Sequence, residues 1–348
     1  MEHIAIDLGG QQSQICVRSS DGQIVEERGC ATKSLKNYLR RRDKSRVVVE
    51  TCAEAFTVAD AALECGHEVR VVPATLVRAL GVGSRGVKND RRDARILSEV
   101  SCQMKELPSV HVPTKQSRDR KSLCGMREAL VGSRTMLINT VRGWLRGQGT
   151  TIRSGGSYTF ALRVCKRYEE KSATPLPSFV QRQLRMIEEL STEIANADRE
   201  VTELAKADPT CRRLMTVPGV GPTIAIRFVA AIDEVGRFTS AHKVESYFGL
   251  VPGEDSSSER QRRTSITKAG SARLRRSLIQ GCWSAQRSRK NDPMVLWSQQ
   301  VEQRRGKRIA VVALARKIVG IMYAMWRDGS SYDPSRGASV TSQEQRTM

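Results

Sequence analysis

Apolar and polar positions change period along the chain. HIAIDL (3–8), QICVRSS (14–20) and QIVEERG (23–29) are strand-type runs separated by Gly9, Gly10, Asp21 and Gly22, which predicts a three-stranded meander. A helix is expected over 32–42. RVVVE (46–50) suits a buried parallel strand, and a helix over 53–65, a strand EVRVV (68–72) and further helix follow. A meander followed by α/β alternation predicts a mixed five-stranded sheet, the core of an α/β domain over 1–150. From 114 to about 148 the pattern predicts one long basic helix.

Residues 150–177, punctuated by Gly155, Gly156, Pro175 and Pro177, read as a junction. Ile187, Leu190, Ile194, Ala197, Val201 and Leu204 then alternate spacings of three and four, a heptad seam. It fits a coiled coil between copies or an amphipathic helix packed within the chain, and 151–207 is taken as linker and coiled coil. A mainly α unit is expected over 208–330. It holds the turn VPGVGP (217–222), helices over 223–232 and 240–248, a polar loop over 249–269, and helices over 270–289, 293–304 and 307–327. The segment 331–348 has the composition of a disordered tail.

Composition adds the partner. Lys+Arg 58 against Asp+Glu 37 gives a net charge of +21, which points to a polyanion. Residues 115–153 alone hold nine Lys/Arg against two acids, and the segments 33–46, 115–153 and 260–290 are expected to line a nucleic-acid path. Arg118, Arg120, Lys121, Arg273, Arg275 and Arg276 belong to those segments. Nine scattered cysteines without a CxxC pair argue for buried thiols rather than zinc or a disulfide framework. No run approaches eighteen consecutive apolar residues, so a cytoplasmic, nucleoid-associated protein without a membrane span is expected.

Acids supply the candidate chemistry. Asp7 ends the first strand just before Gly9 and Gly10, Glu50 closes RVVVE, and Asp90 and Asp93 share one face at a helix start. Four converging carboxylates in so basic a chain suggest a site for Mg²⁺ or Mn²⁺ able to serve in-line phosphoryl transfer. Taken singly, Asp90 also reads as an N-cap, Asp93 as a partner of nearby arginines, and Glu50 as a strand-end acid. Gly219 and Gly221 in PGVGP resemble a hairpin whose amides receive a DNA phosphate, although a glycine turn before a helix is common. The loop GLVPGEDSSSERQRRTSITKAG sets Ser256, Ser257 and Ser258 among Arg260, Arg262, Arg263 and Lys268, cations that ease ionisation of a hydroxyl and clamp a phosphate.

These segments together resemble the DEDD transposases of insertion sequences, the family of the Piv invertase and of bridge-RNA-guided recombinases. The matches are IAIDLGG, VVVET, VKNDRRDARIL, and PGVGP…FTSAHKVESYFGLVP…SITKAGSARLRR, in the family's order over roughly residues 1–330. The resemblance implies a RuvC-like, RNase H-type first domain with Asp7, Glu50, Asp90 and Asp93 as the acidic tetrad, a coiled coil, and a helical transposase domain. In that last domain a loop serine forms a phosphoserine intermediate with DNA. Family members carry a Ser-Gly pair where this chain has Ser257-Ser258, so Ser257 is the first candidate nucleophile and Ser256 the second. A noncoding guide RNA and a dimeric or tetrameric assembly are implied as well.

The rival readings are a RuvC-like junction resolvase using metal-activated water, an actin-like ATPase or sugar kinase suggested by IDLGG, and a noncatalytic RNA-binding protein. The first leaves the serine loop unexplained. The second lacks another glycine-rich phosphate loop and does not account for the charge. The third would show no Mg²⁺-dependent nuclease activity.

Overall fold

The computed structural model describes residues 1–79, 89–172, 174–255 and 263–335. They fall into two compact units, Met1–Pro113 and Thr114–Met348.

The N-terminal unit contains β1 (His3–Asp7), β2 (Gln12–Arg18), β3 (Ile24–Ala31), α1 (Leu35–Arg40), β4 (Arg46–Glu50), α2 (Ala55–Glu64), β5 (Glu68–Val72), α3 (Ala74–Ala79) and α4 (Asp90–Gln103). The sheet runs β3-β2-β1-β4-β5, antiparallel through the meander and parallel across β1, β4 and β5. This is the mixed five-stranded sheet that the sequence predicts. Strand alternation divides its faces. Ile4, Ile6, Val47 and Val49 pack with Leu35, Leu39, Val58 and Ala62 of α1 and α2 on one side. Ala5, Val48 and Val72 pack with Leu97 of α4 on the other. Val47, Val48 and Val49 are fully buried, each stabilising by about 1.5–3 kcal/mol, which is why a three-valine run forms a central strand covered on both faces.

The second unit opens with α5 (Lys115–Gly147), followed by α6 (Phe160–Glu169), α7 (Ser178–Ala207), α8 (Pro209–Leu214), α9 (Pro222–Ile232) and α10 (Ala241–Tyr247). Strands β6 (Pro252–Glu254) and β7 (Arg263–Ile266) precede α11 (Ala272–Ser288), α12 (Pro293–Arg305) and α13 (Lys307–Asp328). The long basic helix expected at the end of the first domain therefore packs within the second unit, because its buried face meets α7 and α9.

Helices α5 and α7 run antiparallel. Arg134 donates to Ser191 Oγ at 3.2 Å and Arg127 to Asp198 at 2.5 Å, the two partners stepping seven residues in opposite directions. Ile138, Val141 and Leu145 share a core with Val180, Leu184 and Ile187. Ile187, Ile194 and Val201 of the heptad seam are each 1% exposed. The helix expected as a coiled coil is thus paired inside its own chain, since α5 supplies the apolar face that a second copy would otherwise supply.

Three further expectations change. The junction 150–177 contains α6, whose Phe160, Ala161 and Val164 are buried. The polar loop 249–269 contains the β6–β7 hairpin, short strands too polar to show apolar alternation. The start of the expected tail is tied down, as Tyr332 donates its hydroxyl to Asp292 at 2.9 Å and its amide to Thr216 Oγ1 at 3.1 Å. The rest of that tail, 336–348, lies outside the described residues. Helix α13 is long and apolar enough to cross a membrane, but Val311, Leu314, Ile318, Val319 and Met322 are core residues of the second unit. All nine cysteines are free thiols, and burial pushes those of Cys211 and Cys282 up to about 12.

Candidate active site

Parity places the acids on the sheet. Asp7 alternates with Ala5, and Glu50 with Val48, so both belong to the face covered by α4. They close neighbouring parallel strands, one step beyond the pair Ile6–Val49. On α4, Asp93 shares a stripe with Leu97 and Ser101, all buried against the sheet.

The direction of α4 follows from its far end. Ser101 Oγ bonds His3 Nδ1 at 2.7 Å, at the start of β1, and Ser98 Oγ accepts from Arg18 Nε at 3.0 Å. From Ser101 back to Asp93 is about 12 Å of helix, and from His3 to Asp7 about 13 Å of strand. The matched lengths bring the helix start over the strand end.

There, carboxylate oxygens of Asp7, Asp90 and Asp93 lie within 4.8 Å of one another. Asp7 is half-buried, Asp90 exposed and Asp93 buried. Glu50 is not one of the three. The N-cap role open to Asp90 is filled by another residue. Asn89 is the N-cap, accepting from the Arg91 amide at 3.1 Å. Arg91 and Arg95 both turn to Glu27 on β3, and the Arg95 hydrogen bond, aided by Arg91, holds the Glu27 carboxyl down at about 2. Sequence reasoning missed Glu27, His3, Arg18 and Ser98, which hold α4 in place; a polar residue facing inward from a strand was the available signal.

At separations within 4.8 Å, ionised carboxylates repel by at least about 3 kcal/mol per pair at an effective dielectric of about 20. A divalent cation among them offsets that repulsion, and an all-oxygen donor set suits Mg²⁺ or Mn²⁺ rather than softer metals. The residues fit such an ion.

The remaining candidates divide. Ser256, Ser257, Arg260 and Arg262 lie outside the described residues. The stem that flanks them is described: β6 pairs with β7, Thr267 donates its amide to Val251 at 3.0 Å, and Lys268 to Gly249 at 3.1 Å. Gly270 has φ +63°, and a Cβ there would strike the Tyr247 carbonyl, so the two ends of the loop pass as bare backbone. Arg275 spends one nitrogen on the carbonyls of Phe248 at 3.2 Å, Gly270 at 3.3 Å and Ala269. It acts as a clasp on this stem through that one nitrogen. Arg120, expected on the nucleic-acid path, is 7% exposed and bonded to Asp208 at 2.6 Å. Burial acts to raise the Asp208 carboxyl, but the Cys211 amide and Arg120 outweigh it and hold it low.

Gly219, at φ +82°, is needed where its turn meets the backbone of Gly281 on α11. Gly221 caps the start of α9. Arg118 is half-buried, and Lys121, Arg263 and Lys268 are exposed. Arg273 and Arg276 are exposed as well, gathered with Arg227 on Glu128 at 3.5, 2.8 and 2.8 Å.

A carboxylate cluster at a strand end, beside a helix on a mixed sheet, is an arrangement able to hold a divalent ion for phosphoryl transfer. Comparison with known proteins agrees. A profile of DEDD transposases of the IS110 type matches residues 4–149, and one described as "Transposase IS116/IS110/IS902 family" matches 211–295. The first of these runs past the boundary at Pro113 and ends where α5 ends. A "Probable family 20 transposase" of Pseudomonas aeruginosa is 29% identical, over 96% of this chain and 99% of its own length. The "Transposase for insertion sequence element IS1111A" of Coxiella burnetii is 28% identical over 94% and 90%. That for IS1328 of Yersinia enterocolitica is 25% identical over 94% and 98%. The chain belongs to the IS110/IS116/IS902 family of DEDD transposases, enzymes that bind, cleave and rejoin DNA.

Proposed function

We propose that this transposase excises and inserts its element through a covalent serine intermediate, with Asp7, Glu50, Asp90 and Asp93 holding Mg²⁺ or Mn²⁺. The observation that carries the reading is the meeting of three carboxylates within 4.8 Å at the end of β1. Glu50 joins the set from the neighbouring strand end. A metal held by these carboxylates would supply Lewis acidity to the phosphoryl transfer.

Ser257 is the proposed nucleophile, with Ser256 as second candidate. Its Oγ forms an ester bond to phosphorus as the bond to the leaving deoxyribose oxygen breaks; the serine proton passes to a base and the leaving oxygen takes one up. The ester retains the energy of the broken phosphodiester, so a second strand's hydroxyl can displace the serine without an external nucleotide. Arg260, Arg262, Arg263 and Lys268 stabilise the charge that develops. Lys121, Arg118, Arg273, Arg276 and the Gly221 amide are proposed DNA contacts. A noncoding RNA transcribed from the element selects donor and target, and dimers or tetramers synapse them.

Trapping on a nicked element-end DNA tests the chemistry. Wild type should give a protein–DNA adduct that survives denaturation and maps by mass spectrometry to Ser257. Ser257→Ala should lose it and Ser258→Ala keep it. An adduct at Ser256 moves the assignment by one residue, and recombination without any adduct would replace the serine with metal-activated water. Sequencing RNA that copurifies with the protein tests guidance; the expected species is a transcript of the noncoding DNA flanking the gene.

A further inference from the structure

The C-terminal end of α5 borders a cavity of about 230 Å³ lined by Arg142, Arg146, Thr150, Thr151, Ile152 and Ser154. We infer that this cavity is a binding site for one phosphodiester group of a nucleic-acid backbone. The inference rests on nucleic-acid binding by the transposase and is independent of the serine chemistry.

The lining holds two cations, three hydroxyls and no acid. Among the described residues, neither guanidinium has a hydrogen-bond or ion-pair partner, and Arg142 Nε is buried without an acceptor. A guanidinium carries five N–H donors and accepts nothing, so the cavity is a concentrated surplus of donors. Earlier arginines on the same helix each have a side-chain acceptor, Arg120 on Asp208, Arg127 on Asp198 and Arg134 on Ser191, although Nε of Arg120 and of Arg134 is likewise buried without one. A buried donor without an acceptor destabilises the fold, and an incoming anion relieves that penalty.

The arrangement is also held in place. Arg142 and Arg146 stand one turn apart on one face of α5. The Arg142 guanidinium lies 5.4 Å from the ring centre of Phe160, which is fully buried, a contact that restrains it without supplying a hydrogen-bond acceptor. The negative end of α5 is closed off. The Gln148 amide bonds Leu145 O, the Gly149 amide bonds Arg146 O, and the Thr150 amide bonds Leu145 O at 2.8 Å, with Gly149 at φ +65°. Those last carbonyls are consumed by the turn. The turn also brings Thr151 and Ser154, whose hydroxyls have no partner among the described residues, to the cavity rim.

Size and chemistry select the ligand. A cavity of about 230 Å³ is smaller than the usual pocket of an organic cofactor, yet ample for a phosphate with its two ester oxygens. Tetrahedral phosphate oxygens match paired N–H edges flanked by hydroxyl donors.

The test is a salt series of binding constants for duplex element-end DNA and for single-stranded RNA of equal length. Wild type, Arg146→Gln, Arg142→Gln/Arg146→Gln and Thr151→Val/Ser154→Ala are compared, each with its thermal midpoint. Losing one phosphate contact should weaken binding several-fold, whatever the sequence, and make the log–log salt slope shallower by about 1 on the ligand that fills the cavity. A shallower slope on DNA assigns the phosphate to DNA, and one on RNA alone assigns it to RNA. Unchanged slopes on both ligands in the double arginine variant, together with unchanged affinity in the single arginine variant and the hydroxyl pair, each folded like wild type, would overturn the inference. A wild type whose binding ignores salt would instead overturn nucleic-acid recognition by charge as a whole.

Discussion

In the N-terminal unit, the acids sit on two rigid elements: Asp7 ends a strand buried in the middle of a sheet, while Asp90 and Asp93 begin a helix held down at its other end by His3–Ser101 and Arg18–Ser98. In the C-terminal unit, the serine segment joins β6 to β7, and what the structure provides is the stem, made of a short hairpin, a crossing of bare glycine backbone and the Arg275 clasp. The units also treat their arginines differently. Arg91 and Arg95 answer Glu27 from outside the sheet, whereas α5 carries both matched arginines at its start and unmatched ones at its end. Net charge alone therefore does not draw the nucleic-acid path; the partners of each cation do.

The widest separation should come from the two kinds of arginine on α5. Arg120→Ala removes the cation paired with the largely buried Asp208 carboxylate, which keeps only its Thr210 and Cys211 amide donors, and should cost about 3 kcal/mol by urea titration. Arg146→Gln should cost less than about 0.5 kcal/mol in the same titration, because no protein partner is lost. Equal costs would erase the distinction.

Next comes the support of the acid cluster. Leu97→Ala removes a side chain 1% exposed between α4 and the sheet and should cost about 3 kcal/mol. Mg²⁺-dependent cleavage should fall more than DNA binding, since the helix start loses its seat. A cleavage rate unchanged in the folded variant would detach the cluster from its scaffold.

The smallest effect is one of pH. Glu27 is held at about 2 in the folded chain against an ordinary value of 4.5, so its contribution is present above about pH 4.5 and is lost as pH falls toward 2. Glu27→Gln should flatten the pH dependence of the urea midpoint in that window. An identical profile would show that Glu27 does not restrain α4.

Much of this was legible in the chain. The mixed five-stranded sheet followed from a meander and two α/β steps, though not its strand order, and Asp7 with Asp93 followed from a strand end and a helix start. Long-range pairing was not. The heptad of α7 shows an apolar seam but not whose side chains fill it, and α5 reads as a solvated basic helix until Asp198 and Asp208 are seen opposite it. The hairpin stem hid because its residues are polar and its strands short. The cavity beside Arg146 hid for another reason: a cation without a partner looks in sequence like any other cation.

The central claim is that the carboxylates at the end of β1 serve the cleavage of DNA through a divalent ion. Its most direct test compares wild type with Asp7→Asn, Asp90→Asn and Asp93→Asn for strand cleavage of element-end DNA in Mg²⁺, with DNA binding measured on the same preparations. Each variant should bind DNA as tightly as wild type or more tightly, since a negative charge is removed from a polyanion site, and should cleave at least about a hundredfold more slowly. Variants that bind and cleave like wild type would contradict it and leave the three acids as parts of the fold.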